Sequence, residues 1–255
     1  MADKVYFLSD SHLGVPSYNE SLAREKLLVS WLDQVKEDAL AIYLLGDIFD
    51  FWFEYRKVVP KGYVRLLGKL AELADAGIPI HYFTGNHDMW AFDYLAQEVG
   101  LTIHRAPVDA EIMGKQFHIG HGDGLGPGDK GYKWMKSVFS CAFCQRLFAA
   151  LHPRLGIGLA EFFSRKSRIM NREQDEVFLG EDKEWLILYA KEILNTQSVD
   201  FFIFGHRHLP VNLEIAPGVS YINTGDWVSH FSYAVFDGRQ TDLLTFADAH
   251  PATSR

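Results

Sequence analysis

The chain has 255 residues, of which 48% are hydrophobic, and a formal net charge of −8. This length and composition allow one enzyme-sized domain with a substantial core, and no linker or block of charge divides the sequence. The negative charge argues against nonspecific nucleic-acid binding, because affinity for phosphate backbones comes mostly from clustered lysine and arginine. We therefore expect no nucleic-acid partner.

Targeting signals are not apparent in the sequence. The first residues lead into an apolar strand without the basic and apolar regions of a secretory signal. No segment reaches the roughly 20 apolar residues of a membrane span. The two cysteines, Cys141 and Cys144, are too few for a disulfide framework and fit a reducing compartment. We expect a cytoplasmic protein.

Five apolar runs each end in residues that commonly bind metals. In chain order they read VYFLSDSH, AIYLLGD, IHYFTGNHD, FHIGHGD and FFIFGHRH. Each run predicts a strand that opens into a loop, and such strands side by side would gather their loops in one crevice. The candidate metal ligands are Asp10, His12, Asp47, Asn86, His121, His206 and His208.

These ligand types indicate the kind of metal. Carboxylate, amide and imidazole groups without a thiolate favour Mn, Fe(II), Co or Zn. Seven candidates exceed what one ion can bind, whereas a shared carboxylate could bridge two ions about 3.5–4 Å apart. A lone histidine at a strand end is more often a core or surface residue, but the recurrence over five strands favours a centre with two ions.

The segments around these strands follow a layered α/β pattern. Residues 20–38, 62–76 and 181–196 predict helices between strands. After His208, the segments VNLEI, SYIN and SHFSYAVFDG predict consecutive antiparallel strands. We expect a single domain over residues 1–247 and a frayed tail over residues 248–255.

An insertion of about residues 130–172 lies between the fourth and fifth motif strands and is rich in basic and large apolar residues. We expect one helix over residues 132–151 and another from residue 159, separated by Pro153, Gly156 and Gly158. This predicts a helical cap beside the crevice. The alternative is a helical hairpin that only completes the core. Aromatic and basic groups together would suit a substrate with acyl chains and phosphate, or an anionic membrane surface.

The motifs D-S-H, G-D, G-N-H-D, G-H-G-D and G-H-R-H, in this order from Asp10 to His208, resemble the signature of the calcineurin-like metallophosphoesterases. The resemblance implies an α/β/β/α sandwich with two metal ions at the carboxyl ends of its strands. By this resemblance, one ion would be held by Asp10, His12 and His208, the other by Asn86, His121 and His206, and Asp47 would bridge the two.

The same resemblance implies phosphoester or pyrophosphate hydrolysis by a water that both ions activate, without a covalent enzyme intermediate. His87 would lie beside the centre and protonate the leaving oxygen or stabilise charge as imidazolium. Asp50 or Asp88 could orient this histidine or a ligand, and we expect Asp88, because an adjacent carboxylate fixes a histidine tautomer. The alternative for Asp88 is a turn residue that bonds its own backbone.

Further segments, S-D-S-H-L, G-D-I-F-D-F-W, S-R-K-S-R, G-H-R-H-L-P and I-N-T-G-D-W, resemble the UDP-2,3-diacylglucosamine pyrophosphohydrolase family of lipid A biosynthesis. This implies cleavage of UDP-2,3-diacylglucosamine to lipid X and UMP, usually with Mn²⁺, and a cap that receives the acyl chains. Many members of that family carry arginine where this chain has His87, which leaves the substrate open. The residues implied to contact the phosphates or glucosamine are Arg165, Lys166, Ser167 and Arg168, with a solvated helix face as the alternative.

Two other functions stay open at this point. A general metallophosphodiesterase or nucleotide phosphoesterase would be favoured by an open, polar approach to the metals. A non-catalytic binding module on the same fold would be favoured by a lost ligand, but the ligand set is intact. The partners we expect are a lipid-linked nucleotide substrate and peripheral contact with the cytoplasmic face of the inner membrane, without an obligate protein partner.

Overall fold

The computed structural model describes residues 2–127, 130–160, 162, 164 and 177–246. These residues form two sheets and several helices. The strands are β1 Lys4–Leu8, β2 Ala39–Leu44, β3 Ile80–Phe83, β4 Thr102–His104, β5 Val108–Ile112, β6 Lys115–Ile119, β7 Phe201–Phe204, β8 Pro210–Ala216, β9 Val219–Thr224, β10 Ser232–Phe236 and β11 Thr241–Thr245. The helices are α1 Tyr18–Val35, α2 Val64–Asp75, α3 Tyr94–Gln97, α4 Lys130–Ser140, α5 Ala142–Ala149, α6 over residues 153–160 and α7 Trp185–Leu194.

The first sheet has the strand order β11-β10-β1-β2-β3-β4, and the second has the order β5-β6-β7-β9-β8. Strands β1 to β4 run parallel, while β10 is antiparallel to both β1 and β11. In the second sheet β6, β7 and β9 are parallel, and the edge strands β5 and β8 are antiparallel to their neighbours. The carboxyl ends of β1, β2 and β3 therefore form one edge of the first sheet, and those of β6 and β7 form one edge of the second.

Alternating apolar side chains place the two sheets face to face. In β1, Val5 and Phe7 enter the core between the sheets, whereas Tyr6 and Leu8 face the helices outside. In β7 the same two-residue period sends Ile203 inward, and the residues beside it pack outward against α7. Helices α1 and α2 cover the outer face of the first sheet. The α/β/β/α sandwich is confirmed.

The predicted helices between strands are present, with their ends shifted by a few residues. Helix α1 begins at Tyr18 because Ser17 caps it, accepting a hydrogen bond from the Glu20 amide at 3.3 Å. Helix α7 begins only at Trp185, after Glu184 in an extended conformation. The difference at α7 places a buried carboxylate directly before the helix.

The sheet assignment of the later strands differs from the sequence prediction. Strands β8 and β9 are antiparallel neighbours, as expected, but β10 belongs to the first sheet and pairs with β1 and β11. The five motif strands are also divided, with β1, β2 and β3 in one sheet and β6 and β7 in the other. Periodicity identifies the apolar faces of a strand but not the sheet it joins.

Helices α4, α5 and α6 follow one another in the insertion, and we call its described residues, 130–160, 162 and 164, the cap. The prediction of a single helix over residues 132–151 is wrong. The helix is interrupted at Cys141, whose backbone is extended. The second helix starts at Pro153, earlier than predicted, since proline is well tolerated in the first turn of a helix. The tail over residues 248–255 and the end of the insertion lie outside the described residues, so these boundaries stay predictions.

Membrane-spanning helices were not expected from the sequence. In the part of the chain that the structure describes, no helix combines the length and the apolar character needed to cross a bilayer.

Candidate metal centre

The loops that follow β1, β2, β3, β6 and β7 meet at one end of the sandwich. Backbone hydrogen bonds join them: the amide of Asp10 donates to the Gly46 carbonyl at 3.0 Å, and the amide of Gly205 donates to the His121 carbonyl at 2.9 Å. Because each loop directly follows a buried strand, the sheets fix the position of its first residues. All seven predicted ligands lie on these loops.

One group of side chains consists of Asp10, His12 and His208, with one ligand atom of each within 4.8 Å of the others. Nε2 of His208 lies 3.1 Å from Oδ1 of Asp10 and 3.1 Å from Nε2 of His12. Asp10 and His12 are buried, whereas His208 is part-exposed. We call this group the first cluster.

A second cluster consists of Asp47, His121 and His206. Nε2 of His121 lies 3.4 Å from Oδ2 of Asp47 and 3.4 Å from Oδ1 of Asn86. The rings of His121 and His206 meet at a centroid distance of 5.0 Å. The structure therefore brings Asn86 to this cluster.

Asp47 joins the two clusters. Its Oδ2 lies 3.4 Å from Nε2 of His121 and 3.9 Å from Nε2 of His12, so one oxygen faces both groups. Its Oδ1 accepts a hydrogen bond from the amide of His87 at 2.8 Å, which fixes the plane of the carboxylate. This is the arrangement that a bridging carboxylate requires.

The backbone is strained where these ligands lie. Five of the candidate ligands have positive φ, a backbone conformation that residues other than glycine rarely adopt. Such strain costs about 1–3 kcal/mol per residue and persists where the surrounding structure holds the backbone in place. The five residues are Asp10, His12, Asp47, His206 and His208.

Glycine allows the loops to approach one another closely at two points. A Cβ at Gly46 would lie 2.8 Å from Nδ1 of His121, and a Cβ at Gly205 would lie 2.6 Å from Oδ2 of Asp10. Any larger residue would push a candidate ligand out of its cluster. Gly46 also has φ +94°, which favours glycine by itself.

The clusters fit divalent cations by the chemistry of their atoms. Asp10 is fully buried, and its Oδ1 makes no well-directed hydrogen bond to the described residues, although Nε2 of His208 lies 3.1 Å away. A buried carboxylate oxygen without a donor is costly unless a cation compensates it. Two buried carboxylates and four imidazoles, with one amide oxygen, supply such a cation with ligands on several sides.

Ionisation in the metal-free protein follows from this crowding. Burial opposes the charge of Asp47, but the imidazoles of His121 and His87 outweigh it and hold the pKa of this carboxyl well below its usual range. Burial lowers the pKa of His121, yet the carboxylate of Asp47 raises it overall to about 10. Burial and the neighbouring His121 lower the pKa of His206 to about 4. An ion bound at His121 must displace this proton, so metal binding becomes tighter as the pH rises.

His87 lies beside both clusters. Its ring meets that of His12 at 4.8 Å, and its Nδ1 donates a hydrogen bond to the Asp50 carbonyl at 2.9 Å. Burial is the main reason why the pKa of His87 falls to about 4. The free protein at neutral pH therefore holds this ring uncharged, with the proton on Nδ1.

The structure brings Asp50, rather than Asp88, to the ring of His87. Oδ1 of Asp50 lies 3.7 Å from Nδ1 of His87 and 3.4 Å from Nδ1 of His12. The carboxylate of Asp88 instead accepts hydrogen bonds from the amides of Gly85 and Ile48 and from the Tyr82 hydroxyl. This differs from the sequence expectation, which gave the orienting role to Asp88. Sequence adjacency on a tight loop does not bring two side chains to the same side.

Side chains of the cap reach the edge of the centre. The hydroxyl of Ser164 donates to Oδ2 of Asp50 at 2.9 Å and lies 3.3 Å from Nδ1 of His87. The predicted substrate contacts Arg165, Lys166, Ser167 and Arg168 follow in sequence but lie outside the described residues.

Asp123 is a residue whose role the sequence did not reveal. It is buried, and its carboxylate forms an ion pair with Lys136 at 2.6 Å and accepts a hydrogen bond from the Tyr132 hydroxyl at 2.5 Å. Both partners are on α4, so Asp123 ties the cap to the loop of His121. The only sequence signal was its place at the end of G-H-G-D.

Comparison with known families agrees with this geometry. Residues 3–210 match the family model described as calcineurin-like phosphoesterase. This chain belongs to the calcineurin-like phosphoesterase family. The chemistry of this family depends on divalent metal ions, and the two clusters are its candidate ligands here.

Relatives match this phosphoesterase over nearly its whole length. A protein named UDP-2,3-diacylglucosamine hydrolase from Porphyromonas gingivalis is 41% identical, covering 97% of this chain and 99% of the relative. A protein of the same name from Shewanella sp. (strain W3-18-1) is 25% identical, covering 94% and 95%. Among solved structures, a hypothetical protein from Pyrococcus horikoshii OT3 has a TM-score of 0.50 at 10% identity, covering 95% of this chain and 87% of that one. That last likeness concerns the fold alone.

Proposed function

We propose that this phosphoesterase hydrolyses the pyrophosphate bond of UDP-2,3-diacylglucosamine, giving lipid X and UMP. The observation that carries the proposal is the pair of ligand clusters joined at Asp47, in a chain that matches over 97% of its length a relative named for this substrate. Pyrophosphate hydrolysis requires an activated water and charge neutralisation around phosphorus, which is the chemistry of two-metal sites.

We propose that the site holds two ions of Mn²⁺, with Fe, Co or Zn as alternatives. Each cluster provides the ligands of one ion. When bound, two divalent ions supply a water of lowered pKa and neutralise charge on the phosphoryl oxygens. Asp47 holds the clusters at a fixed separation, because both of its oxygens are engaged. The ligands are Asp10, His12 and His208 for one ion, Asn86, His121 and His206 for the other, and Asp47 for both.

We assign His87 as the catalytic side chain that exchanges a proton with the leaving phosphate. Its Nδ1 proton is engaged by the Asp50 carbonyl, so Nε2 is the nitrogen that can face the reacting groups. The pyrophosphate of the proposed substrate carries two negative charges, which raise the pKa of a nearby imidazole and so favour the protonated ring. In that form Nε2 donates to the leaving oxygen. Asp88 supports this step indirectly by bracing the loop that carries His87.

The cap is proposed to bind the acyl chains. It contacts the two-sheet part of the chain through aromatic side chains: the ring of Phe148 lies 4.7 Å from that of Phe53 and 4.8 Å from that of Trp90. Despite this contact, many large apolar side chains of the cap stay exposed, which a hairpin that only completes a core would not require. The most exposed are Trp134, Phe143, Leu147, Leu155 and Phe162.

The polar end of the substrate is proposed to lie between the cap and the clusters. Ser164 already hydrogen-bonds at the edge of the centre, and the basic residues Arg165, Lys166 and Arg168 follow it, with Ser167 among them. Arginine and lysine are suited to pyrophosphate oxygens. A cytoplasmic location, with the exposed apolar face of the cap resting on the inner membrane where acylated substrates reside, completes the proposal.

The experiment is Mn²⁺-dependent release of UMP from UDP-2,3-diacylglucosamine, run beside bis-p-nitrophenyl phosphate as a generic diester. The His121→Ala variant, which loses a ligand of the second cluster, is the control. Rapid UMP release that disappears in the variant supports the proposal. Turnover of the generic diester without UMP release would leave a general phosphodiesterase and remove the lipid-linked substrate.

A further inference from the structure

A buried arginine separates two of the proposed metal ligands. Arg207 lies between His206 and His208 in sequence, and it is only 2% exposed. A permanent cation beside a site for two dications needs a specific reason, since like charges weaken each other's binding. Its contacts supply that reason.

The guanidinium of Arg207 is held by a carboxylate from another element. Nε donates to Oε2 of Glu184 at 3.1 Å, and Nη2 donates to Oε1 of the same side chain at 3.1 Å. Nη2 also donates to the Val177 carbonyl at 3.0 Å, and the guanidinium carbon lies 4.7 Å from the ring centre of Trp185. A two-pronged pair of this kind fixes both position and plane of the arginine.

Glu184 is itself fixed. It is buried, directly precedes α7, and accepts a further hydrogen bond from the Leu179 amide at 2.9 Å. The pair Arg207–Glu184 therefore connects the loop after β7 to the start of α7 and to the segment where the chain returns from the insertion.

The start of α7 also supports the loop of His121. A Cβ at Gly122 would lie 3.0 Å from Cδ1 of Leu186, and the ring of Trp185 meets that of His206 at 6.5 Å. One end of a helix thus backs the loops of both second-cluster histidines. The backbone of His206 has φ 69° and that of His208 has φ 52°, so each needs external support to keep its conformation.

We propose that Arg207, anchored by Glu184, is a positioning residue that holds His206 and His208 in the geometry that binds two metal ions. The inference rests on the metal centre of the proposed function. Arg207 does not contact the metals in this proposal; it acts through the backbone of the two histidines on either side. Residues that fix metal ligands from behind change metal affinity when they are replaced.

The test is the Mn²⁺ dissociation constant of the folded protein, measured by calorimetric titration without substrate. The variants are Arg207→Met and Glu184→Gln. The matched control is Arg239→Met, because Arg239 is an exposed arginine in the turn that follows β10. We expect both variants to bind Mn²⁺ about 10- to 100-fold more weakly than the wild type. The control should bind as the wild type does.

A double variant, Arg207→Met with Glu184→Leu, keeps the test valid if the single variants unfold. Replacing both members of a buried ion pair with apolar side chains of similar size often preserves stability, whereas removing one leaves an unpaired charge. We expect this protein to keep its melting temperature and still to bind Mn²⁺ more weakly. Circular dichroism melting curves check the fold of each variant.

Three results would overturn the inference. Unchanged Mn²⁺ affinity with lowered melting temperatures would make the ion pair structural only. Tighter binding in Arg207→Met with weaker binding in Glu184→Gln would make its effect one of charge, since removing the cation and removing the anion would then act in opposite directions. A wild-type protein that binds no Mn²⁺, Fe, Co or Zn would remove the metal centre itself, and the positioning role with it.

Discussion

Polar side chains are buried at the metal clusters, whereas large apolar side chains are exposed on the cap. Asp10 and Asp47 are nearly inaccessible, while Trp134 and Phe143 are 71% and 66% exposed. Both patterns oppose the usual distribution of residues, and both carry a cost that a bound partner can offset. At the clusters the partner is a cation. At the cap it is an apolar group, which the proposed substrate supplies with its acyl chains.

This contrast teaches that the chemistry and the choice of substrate belong to different parts of the chain. The clusters are held by two sheets and by glycine contacts, so they are rigid before a substrate arrives. The cap is joined to this part of the chain by side-chain contacts, which include the hydrogen bonds of Ser164 to Asp50 and of Tyr132 to Asp123 and the ion pair of Lys136 with Asp123. Variants of the clusters should therefore slow hydrolysis of every substrate, whereas variants of the cap should slow hydrolysis of acylated substrates only.

The largest effect is expected from Asp47→Asn, which keeps the size of the bridging group and removes its charge. Hydrolysis of both the lipid-linked nucleotide and the generic diester should fall by about 10³-fold, or about 4 kcal/mol of barrier. Steady-state kinetics with both substrates measures it. Asp109→Asn, which changes a half-exposed carboxylate bound to His118, is the control and should retain activity. A loss of activity with only one of the two substrates would contradict the assignment of the chemistry to the clusters.

The next effect concerns the exposed apolar surface of the cap. The double variant Phe143→Ser with Leu147→Ser should lower kcat/KM for the acylated substrate by about 10- to 100-fold, because it removes apolar area that acyl chains would cover. The generic diester should be hydrolysed at the wild-type rate. Val64→Ser, at an exposed valine of α2, controls for the loss of apolar surface elsewhere. An equal loss with both substrates would show that the cap does not select.

A smaller effect is expected where the cap meets the centre. Ser164→Ala removes the hydrogen bond to Asp50, which is worth about 1 kcal/mol, so kcat should fall by roughly 3- to 10-fold. The control is Ser140→Ala, at an exposed serine that ends α4. If Ser164→Ala changes KM alone, the hydroxyl serves substrate binding and not the arrangement of Asp50 and His87.

The smallest effect concerns a histidine pair outside the clusters, in strands β3 and β4. Nδ1 of His81 lies 3.0 Å from Nε2 of His104, and burial, with a contribution from His104, lowers the pKa of His81 to about 4. The unfolded chain therefore binds a proton that the folded protein rejects between about pH 6.5 and 4, and stability falls as the pH falls through this window. His81→Phe should lessen this fall while hydrolysis at pH 7.5 stays unchanged. Urea unfolding at several pH values measures the difference, and parallel curves for the two proteins would contradict it.

The sequence predicted much of the clusters but little of their support. Candidate ligands such as Asp10 and His121 could be identified because each directly follows a strand that an apolar run reveals. For the partner of His87 the sequence left Asp50 and Asp88 as alternatives, and it did not reveal the pairing of Arg207 with Glu184, because both contacts join loops that are distant in sequence. The break at Cys141 carries neither proline nor glycine, so no local signal marked it.

The measurement that tests the central claim most directly compares kcat/KM for UDP-2,3-diacylglucosamine with that for UDP-glucosamine, which has the same pyrophosphate and no acyl chains. If the clusters supply the chemistry and the cap selects acyl chains, the acylated substrate should be preferred by about 100-fold or more, and the cap variant should lose most of this preference. Equal values for the two nucleotides in the wild-type protein would contradict this division between clusters and cap.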